Sequence, residues 1–312
     1  MRVIVTGGAG FIGSHVADAL LARGHEVCVV DDLSSGRREN VPQAARFDEL
    51  DIRDTDGVQR CVAAFRPDVI CHQAAQTSVS VSTREPLRDA AINILGSLNV
   101  LGAARQHDVG RLVFASTGGA IYGEVEAPTL AETSWGPKPV SPYACSKFAF
   151  ENYLHGARVE YGFESTILRY ANVYGPRQDP HGEAGVVAIF CERLSTGQPL
   201  RVNAKLETGD RGCVRDYVYV SNVVEANVRA VEGRLKAPVH NVGTGAECDT
   251  QTLAEVLSEA FGVSPQLTFG ARREGDLLRS VLAPSPELAD IALVGLREGL
   301  HATAAWYRAA TR

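Results

Sequence analysis

The sequence predicts an α/β protein: a doubly wound parallel sheet covered by helices on both faces, with a smaller C-terminal lobe. Three observations predict it. Short apolar runs alternate with stretches of helical period from residue 2 to residue 170, a glycine-rich turn joins the first run to the first helix, and beyond residue 173 the alternation loosens into turn-rich chain. Composition agrees. At 312 residues, 45% hydrophobic and 22% charged, the chain has enough apolar surface for one large α/β unit or two domains, and too much for disorder. No window approaches the roughly 18 uninterrupted apolar residues of a membrane span.

The elements follow in order. Arg2-Val-Ile-Val-Thr6 is a short apolar run that ends at the glycine-rich turn, the pattern of a first strand. Phe11, Ile12, Val16, Leu20 and Leu21 then recur at helical spacing, and Gly24 is a natural helix stop. Glu26–Asp31 reads as a second buried strand, followed by a helix near 55–65, a strand Asp68–His72 and a helix near 87–107. A strand Arg111–Ser116, a helix near 142–161 and a strand near Glu164–Tyr170 complete the alternation. Sheets of this kind bind ligands outside the carboxyl ends of their strands.

Charge and cysteine usage narrow the function. A net charge of −6 argues against a nucleic-acid partner. Basic charge is carried by arginine far more than by lysine, of which there are four: Lys138, Lys147, Lys205 and Lys236. The seven cysteines are odd in number and never form Cys-x-x-Cys, so neither a disulfide framework nor a zinc site is expected, and a reducing cytoplasm fits. The chain runs straight into a strand, without the features of a secretory signal. No metal and no membrane partner are expected.

Thr6-Gly7-Gly8-Ala9-Gly10-Phe11-Ile12-Gly13 lies between the first strand and first helix, and satisfies Gly-x-Gly-x-x-Gly. Glycines there permit a tight turn and close backbone approach to a pyrophosphate, while the helix N-terminus offers free N–H donors to the anion. Asp31 ends the second strand, where a carboxylate can accept from both ribose hydroxyls. It also disfavours a 2′-phosphate, since like charges at ~4 Å repel by about 1–4 kcal/mol per unit charge. The cofactor expected is therefore NAD on a Rossmann-type domain. Asp51 and Ile52, after the third strand, either flank the adenine or mark a plain strand–loop boundary. Residues 1–172 are read as this dinucleotide-binding domain, rejoined by about 214–240 because Val218–Val231 looks like a strand end and helix returning to the sheet. Residues 173–213 and 241–312 form the smaller substrate-binding lobe, and the helical pattern Leu300–Tyr307 is assigned to neither.

Tyr143-Ala-Cys-Ser-Lys147 sets a phenol and an ammonium one helical turn apart on one face. A tyrosine near pKa 10 is a poor base at neutral pH, but a neighbouring ammonium and a positive nicotinamide ring favour its phenolate. Ser116-Thr117 follows the fifth strand at its carboxyl end, where a hydroxyl can bridge substrate and phenol.

These stretches resemble the extended short-chain dehydrogenase/reductase family, and within it the bacterial UDP-glucose (UDP-galactose) 4-epimerases. The resemblance runs through Val5–Gly13, His72–Gln76, Ser116–Gly123, Ser141–Lys147, Leu168–Arg177, Val214–Val220, Asn241–Gly245 and Arg273–Asp276. It implies a redox-neutral epimerisation at sugar C4: Tyr143 removes the C4 hydroxyl proton, hydride moves to tightly held NAD, and the 4-keto sugar turns and is reduced on its other face. It gives Lys147 the nicotinamide ribose and the tuning of Tyr143, and Thr117 the reacting hydroxyl, with Ser116 as the competing choice. Asn172, Arg215 and Arg273 would hold the diphosphate, with Asp276 near the nucleotide ribose. Around NAD it implies Gly7, Gly10, Phe11, Ile12 and Gly13 at the pyrophosphate and Asp31, Asp32, Ser35 and Gly36 near the adenosine. It adds Gln73, Ala74, Ala75 and Gln76 after the fourth strand, and Asn93, Ser116 and Tyr170 beside Tyr143 and Lys147.

Rival readings differ at single positions. A 4,6-dehydratase would carry Asp-Glu where Gly119 and Ala120 stand. A uronate epimerase tends to carry Thr at Asn172 and a basic residue at Asp179, so UDP-glucuronate is the alternative substrate rather than the first. Ser280 is small where the family can have a bulky gate, which leaves room for an acetamido group and UDP-N-acetylglucosamine. A non-catalytic NAD sensor is the remaining class, against which the intact Thr117, Tyr143 and Lys147 argue. The helices near 87–107 and 142–161 resemble those that pair in family homodimers.

Overall fold

The apolar runs become strands of one seven-stranded sheet in the computed structural model, which describes residues 1–180, 185–273 and 275–310. The strands are β1 (Arg2–Thr6), β2 (Glu26–Asp31), β3 (Arg46–Glu49), β4 (Val69–His72), β5 (Arg111–Thr117), β6 (Ser165–Tyr170) and β7 (Val239–Val242). Their order is β7-β6-β5-β4-β1-β2-β3, and the β1–β2, β2–β3, β1–β4 and β4–β5 pairings are parallel. Val3, Val5, Val29, Ile70 and Leu112 are fully buried, as strands covered on both faces require. The order reverses between β1 and β4, so the carboxyl end of β1, which leads into Gly7, lies at the switch point of a Rossmann-type sheet.

The helices have local causes. In α1 (Phe11–Ala22) the chain stops at Gly24, which adopts φ +78°. Asp54 caps α2 (Thr55–Phe65) by accepting from Gly57 N. Ser141 caps α3 (Pro142–Tyr161), Pro142 sits where its missing N–H costs nothing, and Gly162 at φ +66° ends the helix. The helix expected over 87–107 is three pieces instead: Pro86–Ala90 and Ser97–Gln106 are α-helical, and Ala91–Gly96 between them is a π-helical turn. π-helical turns occur mostly as single turns inside α-helices, so an apolar pattern over 87–107 reads as one helix.

Two compact units result: Met1–Thr117, Ser141–Arg169 and Val223–His240 form the first, and Gly118–Val140, Tyr170–Asn222 and 241–312 the second. The expected division changes at 118–140, which had been counted with the first domain. Within the second unit Val125 N and Ala131 N bond Arg279 O and Val281 O, and Ala283 N returns to Ala131 O, at 3.2, 2.9 and 2.9 Å. The returning segment likewise begins at Val223 rather than near 214.

The core of the first unit packs Phe114, Phe150, Leu154, Ile70 and Val100 between sheet and helices. In the second, Tyr174, Phe190, Leu253, Leu257, Leu300 and Tyr307 pack helices Val186–Ser195, Thr250–Phe261 and Leu296–Ala310 against one another, which places the C-terminal helix there. Its strands are short: Val214–Arg215 lies between Cys248–Asp249 and Arg279–Ser280, and Asn172–Tyr174 pairs with Tyr217–Tyr219. Among the described residues no helix is long and apolar enough to cross a membrane, and all seven cysteines are free thiols.

Candidate active site

The turn after β1 is a cradle that side chains would fill. Gly7 has φ +67°, and a Cβ on it would lie 2.6 Å from Ala74 N; a Cβ on Gly13 would lie 2.1 Å from Gly7 O. The turn closes on itself through Gly10 N to Gly7 O and Ser14 N to Gly10 O, both 3.1 Å. Helix α1 has no side-chain cap on Gly10 and no acidic residue in its first turn, so the amide end that includes Phe11, Ile12 and Gly13 is left for an anion.

Asp31 is buried at the end of β2, and accepts from Ala9 N at 3.0 Å and Leu33 N at 2.9 Å. Burial pushes its pKa up while those two amides pull it down. Two bonds leave acceptor sites on the carboxylate for a diol. Gly36 lets the next turn approach it, for a Cβ there would meet Asp31 Oδ1 at 2.7 Å. Several other residues expected around NAD also have partners within the chain. Asp32 holds Ser34 N and Oγ, Ser35 is exposed, and Asp51 is in an ion pair with Arg53 at 2.5 Å. Ile52 is core, and Gln73 Nε2 donates to Asn227 Oδ1 at 2.9 Å. Ala74 N bonds Thr6 Oγ1 at 3.2 Å, while Ala75 stays half-buried beside it.

At the carboxyl end of β5 the two hydroxyls separate. Thr117 hydrogen-bonds the Tyr143 phenol, whereas Ser116 Oγ donates to the buried carboxylate of Glu151 at 2.5 Å. Alternation along a strand sends neighbouring side chains to different partners. Lys147 is 3% exposed; its ammonium donates to Ala115 O at 2.9 Å and sits 4.8 Å from the Phe114 ring centroid. Burial pulls its pKa down to about 8, against the pull of Asp89 and Glu151. Burial pushes the Tyr143 phenol up to about 12, opposed by the Thr117 bond and assisted by Asp89. The expected lowering by Lys147 is not among these causes. Asn93 and Gln76 form a reciprocal pair, Gln76 N to Asn93 Oδ1 at 2.9 Å and Asn93 Nδ2 to Gln76 O at 2.8 Å.

The sequence reading missed Glu151, Arg169 and Asp89. Glu151 falls one turn beyond Lys147, a visible signal, and Arg169 Nη2 meets it at 2.5 Å with both side chains almost fully buried.

In the second unit Asn172 uses both its N and Nδ2 to donate to Asp216 O, at 2.9 and 3.1 Å. Arg215, on the neighbouring strand residue, bonds Val214 O at 2.9 Å. Arg273 and Asp276 share one turn, Asp276 N to Arg273 O at 3.3 Å, with Gly275 at φ +81° between them; Arg273 is exposed. Tyr170 is buried at the start of this unit's Tyr170–Asn222 segment. Ser280 Oγ donates to Gly119 O at 3.0 Å. The buried Asp216 carboxylate, also missed, gathers Thr244 N, Thr244 Oγ1 and Gly245 N at 3.0, 2.6 and 3.1 Å.

Among the described residues one group has metal-ligand proximity: Cys28, Asp48 and Cys61, within 4.8 Å of one another. Arg46 occupies Asp48 through two bonds of 2.9 and 2.7 Å. The Cys28 bond and burial push the Cys61 thiol up. A resident guanidinium and protonated thiols are a poor cation site.

Residues 3–243 match the NAD dependent epimerase/dehydratase family. The chain belongs to that family. A UDP-glucose 4-epimerase of Mycolicibacterium smegmatis is 42% identical over 322 residues, covering 99% of each chain. The crystal structure of UDP-glucose 4-epimerase from Thermus thermophilus in complex with NAD has 52% identity and a TM-score of 0.94, over 99% of this chain and 100% of that one. That of Thermotoga maritima with UDP-glucose has 44% identity and a TM-score of 0.93, over 100% of each. Family membership makes NAD the group against which the cradle is judged, and the residues fit it: a turn where Cβ atoms would clash, an uncapped helix start and a buried carboxylate at the end of β2.

Proposed function

We propose that this NAD-dependent epimerase/dehydratase family member is a nucleotide-sugar 4-epimerase interconverting UDP-galactose and UDP-glucose through a 4-keto sugar. The observation that carries the reading is the Thr117–Tyr143 hydrogen bond with Lys147 one turn along α3, in the unit that holds the glycine cradle and Asp31. The names and coverage of the relatives support the choice of sugar.

In this reading the first unit binds NAD and the second binds the UDP-sugar. NAD, when bound, supplies a reversible hydride acceptor and, oxidised, a positive ring. Tyr143 takes the C4 hydroxyl proton and returns it after the sugar has turned; Thr117 orients the exchange. Lys147, one turn from Tyr143 along α3, supplies positive charge that favours the phenolate. Asn172, Arg215, Arg273 and Asp276 grip the nucleotide, since guanidiniums suit a diphosphate and the turning sugar cannot provide the affinity. Exposed Leu87, Leu95 and Tyr153, on the helical segments 86–106 and 142–161, support a homodimer, and seven free thiols support a cytoplasmic setting.

The test is anomeric-proton NMR of purified protein with UDP-galactose, without added NAD, and with UDP-glucuronate and UDP-N-acetylglucosamine in parallel. UDP-glucose forming in the wild type and not in Tyr143→Phe, with NAD retained by both, is the expected result. Turnover of the uronate alone would refute the substrate; unchanged sugars in every tube, NAD added, would refute the epimerase.

A further inference from the structure

Lys147 is a buried ammonium, and the groups facing it do not contribute equally. From its own helix come Tyr143 and Glu151, and Glu151 is matched by Arg169 on β6. From β5 come the Phe114 ring and Ala115 O. His72 on β4 is held between Thr6 Oγ1 and Ser97 Oγ at 2.7 and 2.9 Å, and its deep burial keeps the ring neutral. Among the described residues the other charge acting on Lys147 is Asp89, 1% exposed, in the helical turn that precedes the π-helical one. Its Oδ1 accepts from two neutral amides, Gln76 Nε2 at 2.7 Å and Asn93 Nδ2 at 3.0 Å. Asn93 Nδ2 is also 3.2 Å from Ser146 Oγ, which donates to Tyr143 O at 2.9 Å. A carboxylate buried on amides alone is costly, and π-helical turns gather at functional sites.

We propose that Asp89 is a positioning residue for the Tyr143–Lys147 pair, tied to their helix through Asn93 and Ser146 and supplying the unmatched negative charge that holds Lys147 as an ammonium. The effect on both groups agrees: Asp89 raises the pKa of Lys147 and of Tyr143 alike. The proposal deepens the epimerase reading and rests on it only for its activity arm.

The experiment labels lysine with ¹³C. With four lysines in the chain, and Lys147→Met identifying the fourth signal, the Lys147 titration can be read directly. In the wild type it is expected to titrate below the ordinary lysine value, near 8. Asp89→Asn, which keeps the shape, is expected to lower that midpoint by about one pH unit and to move both limbs of the kcat–pH profile toward acid by a similar amount. Ser146→Ala breaks the tie and keeps the charge; it is expected to lower kcat at every pH with the Lys147 midpoint unchanged. An unmoved midpoint in Asp89→Asn overturns the proposal, as does an equal shift in Ser146→Ala. If Asp89→Asn does not fold, Ser146→Ala decides: kcat lowered at every pH with the Lys147 midpoint unmoved supports the tie, and an unchanged kcat overturns it. Absence of turnover in the wild type would refute the epimerase reading and leave the Lys147 titration standing.

Discussion

Three alanine substitutions separate the glycines that the fold needs from those it tolerates. At Gly13 the new Cβ would lie 2.1 Å from Gly7 O, 2.8 Å from Gly7 C and 2.9 Å from Gly8 Cα, all backbone atoms. No rotamer relieves that, so α1 and the turn after β1 must part by about 1 Å. Overpacking of this kind costs about 1–3 kcal/mol, only partly offset by roughly 1 kcal/mol of helix propensity. The cradle's amides move with it, and losing one or two hydrogen bonds to a charged group, at about 1.5–3 kcal/mol each, weakens binding by about 100-fold. At Gly10 the closest approach is 3.2 Å, to Gly7 O alone, and the turn can yield by a few tenths of an ångström. At Gly102, exposed on the Ser97–Gln106 helix, nothing lies within 4 Å. Thermal unfolding and NAD titration of the stripped protein should therefore rank them. Gly13→Ala is less stable and binds NAD about 100-fold more weakly, Gly10→Ala changes both little, and Gly102→Ala gains up to about 1 kcal/mol with NAD affinity unchanged. NAD binding within threefold of wild type in Gly13→Ala would refute the cradle.

Three further outcomes are expected. Thr117→Val should lower kcat by about 10²-fold with folding intact, while Ser116→Ala should act mainly on stability, because its partner is Glu151; equal kcat losses would contradict the division of the two hydroxyls. Removing Glu151 alone, as Ala, should cost about 3–5 kcal/mol in denaturant unfolding, and Arg169→Met in the same chain should recover much of it. Burial, with help from Lys147, pulls His72 down to about 3. The unfolded chain then binds the extra proton between pH 6.5 and 3, so stability falls as pH drops through that window, by about 1.4 kcal/mol per pH unit. His72→Gln should flatten that slope in urea titrations from pH 6.5 to 4.

Much of this molecule was readable in one dimension, where its causes are local. The β1 and β2 runs are apolar on both faces, α1 has its stripe and its Gly24 stop, and the Gly7–Gly13 turn is dictated by close approaches that only glycine allows. What failed to show depends on partners far along the chain. Ser116 and Thr117 are equivalent as letters; only the seating of α3 against β5 gives one to Glu151 and the other to Tyr143. Gly118–Val140 carries no sign of its allegiance to the second unit, since its bonds go to residues about 150 positions on. Gln73, expected near the cofactor, also bonds Asn227, 154 positions on, a partner its own neighbourhood does not announce.

The buried charges of the first unit point to a last consequence. Lys147 and Arg169 are matched by Asp89 and Glu151, so the interior around Tyr143 is neutral while the phenol keeps its proton. A phenolate would add an unmatched negative charge to a half-buried position, and its desolvation holds the phenol up to about 12. Positive charge brought by a bound ligand is expected to lower that value. Ultraviolet difference titration of wild type against Tyr143→Phe isolates this one phenol among nine tyrosines. In stripped protein it should ionise near the alkaline limit of stability, and with oxidised NAD bound several pH units lower. A stripped-protein midpoint below 9 would mean that the internal charges already favour the phenolate, and the neutral balance of Lys147, Arg169, Asp89 and Glu151 would no longer explain the resting site.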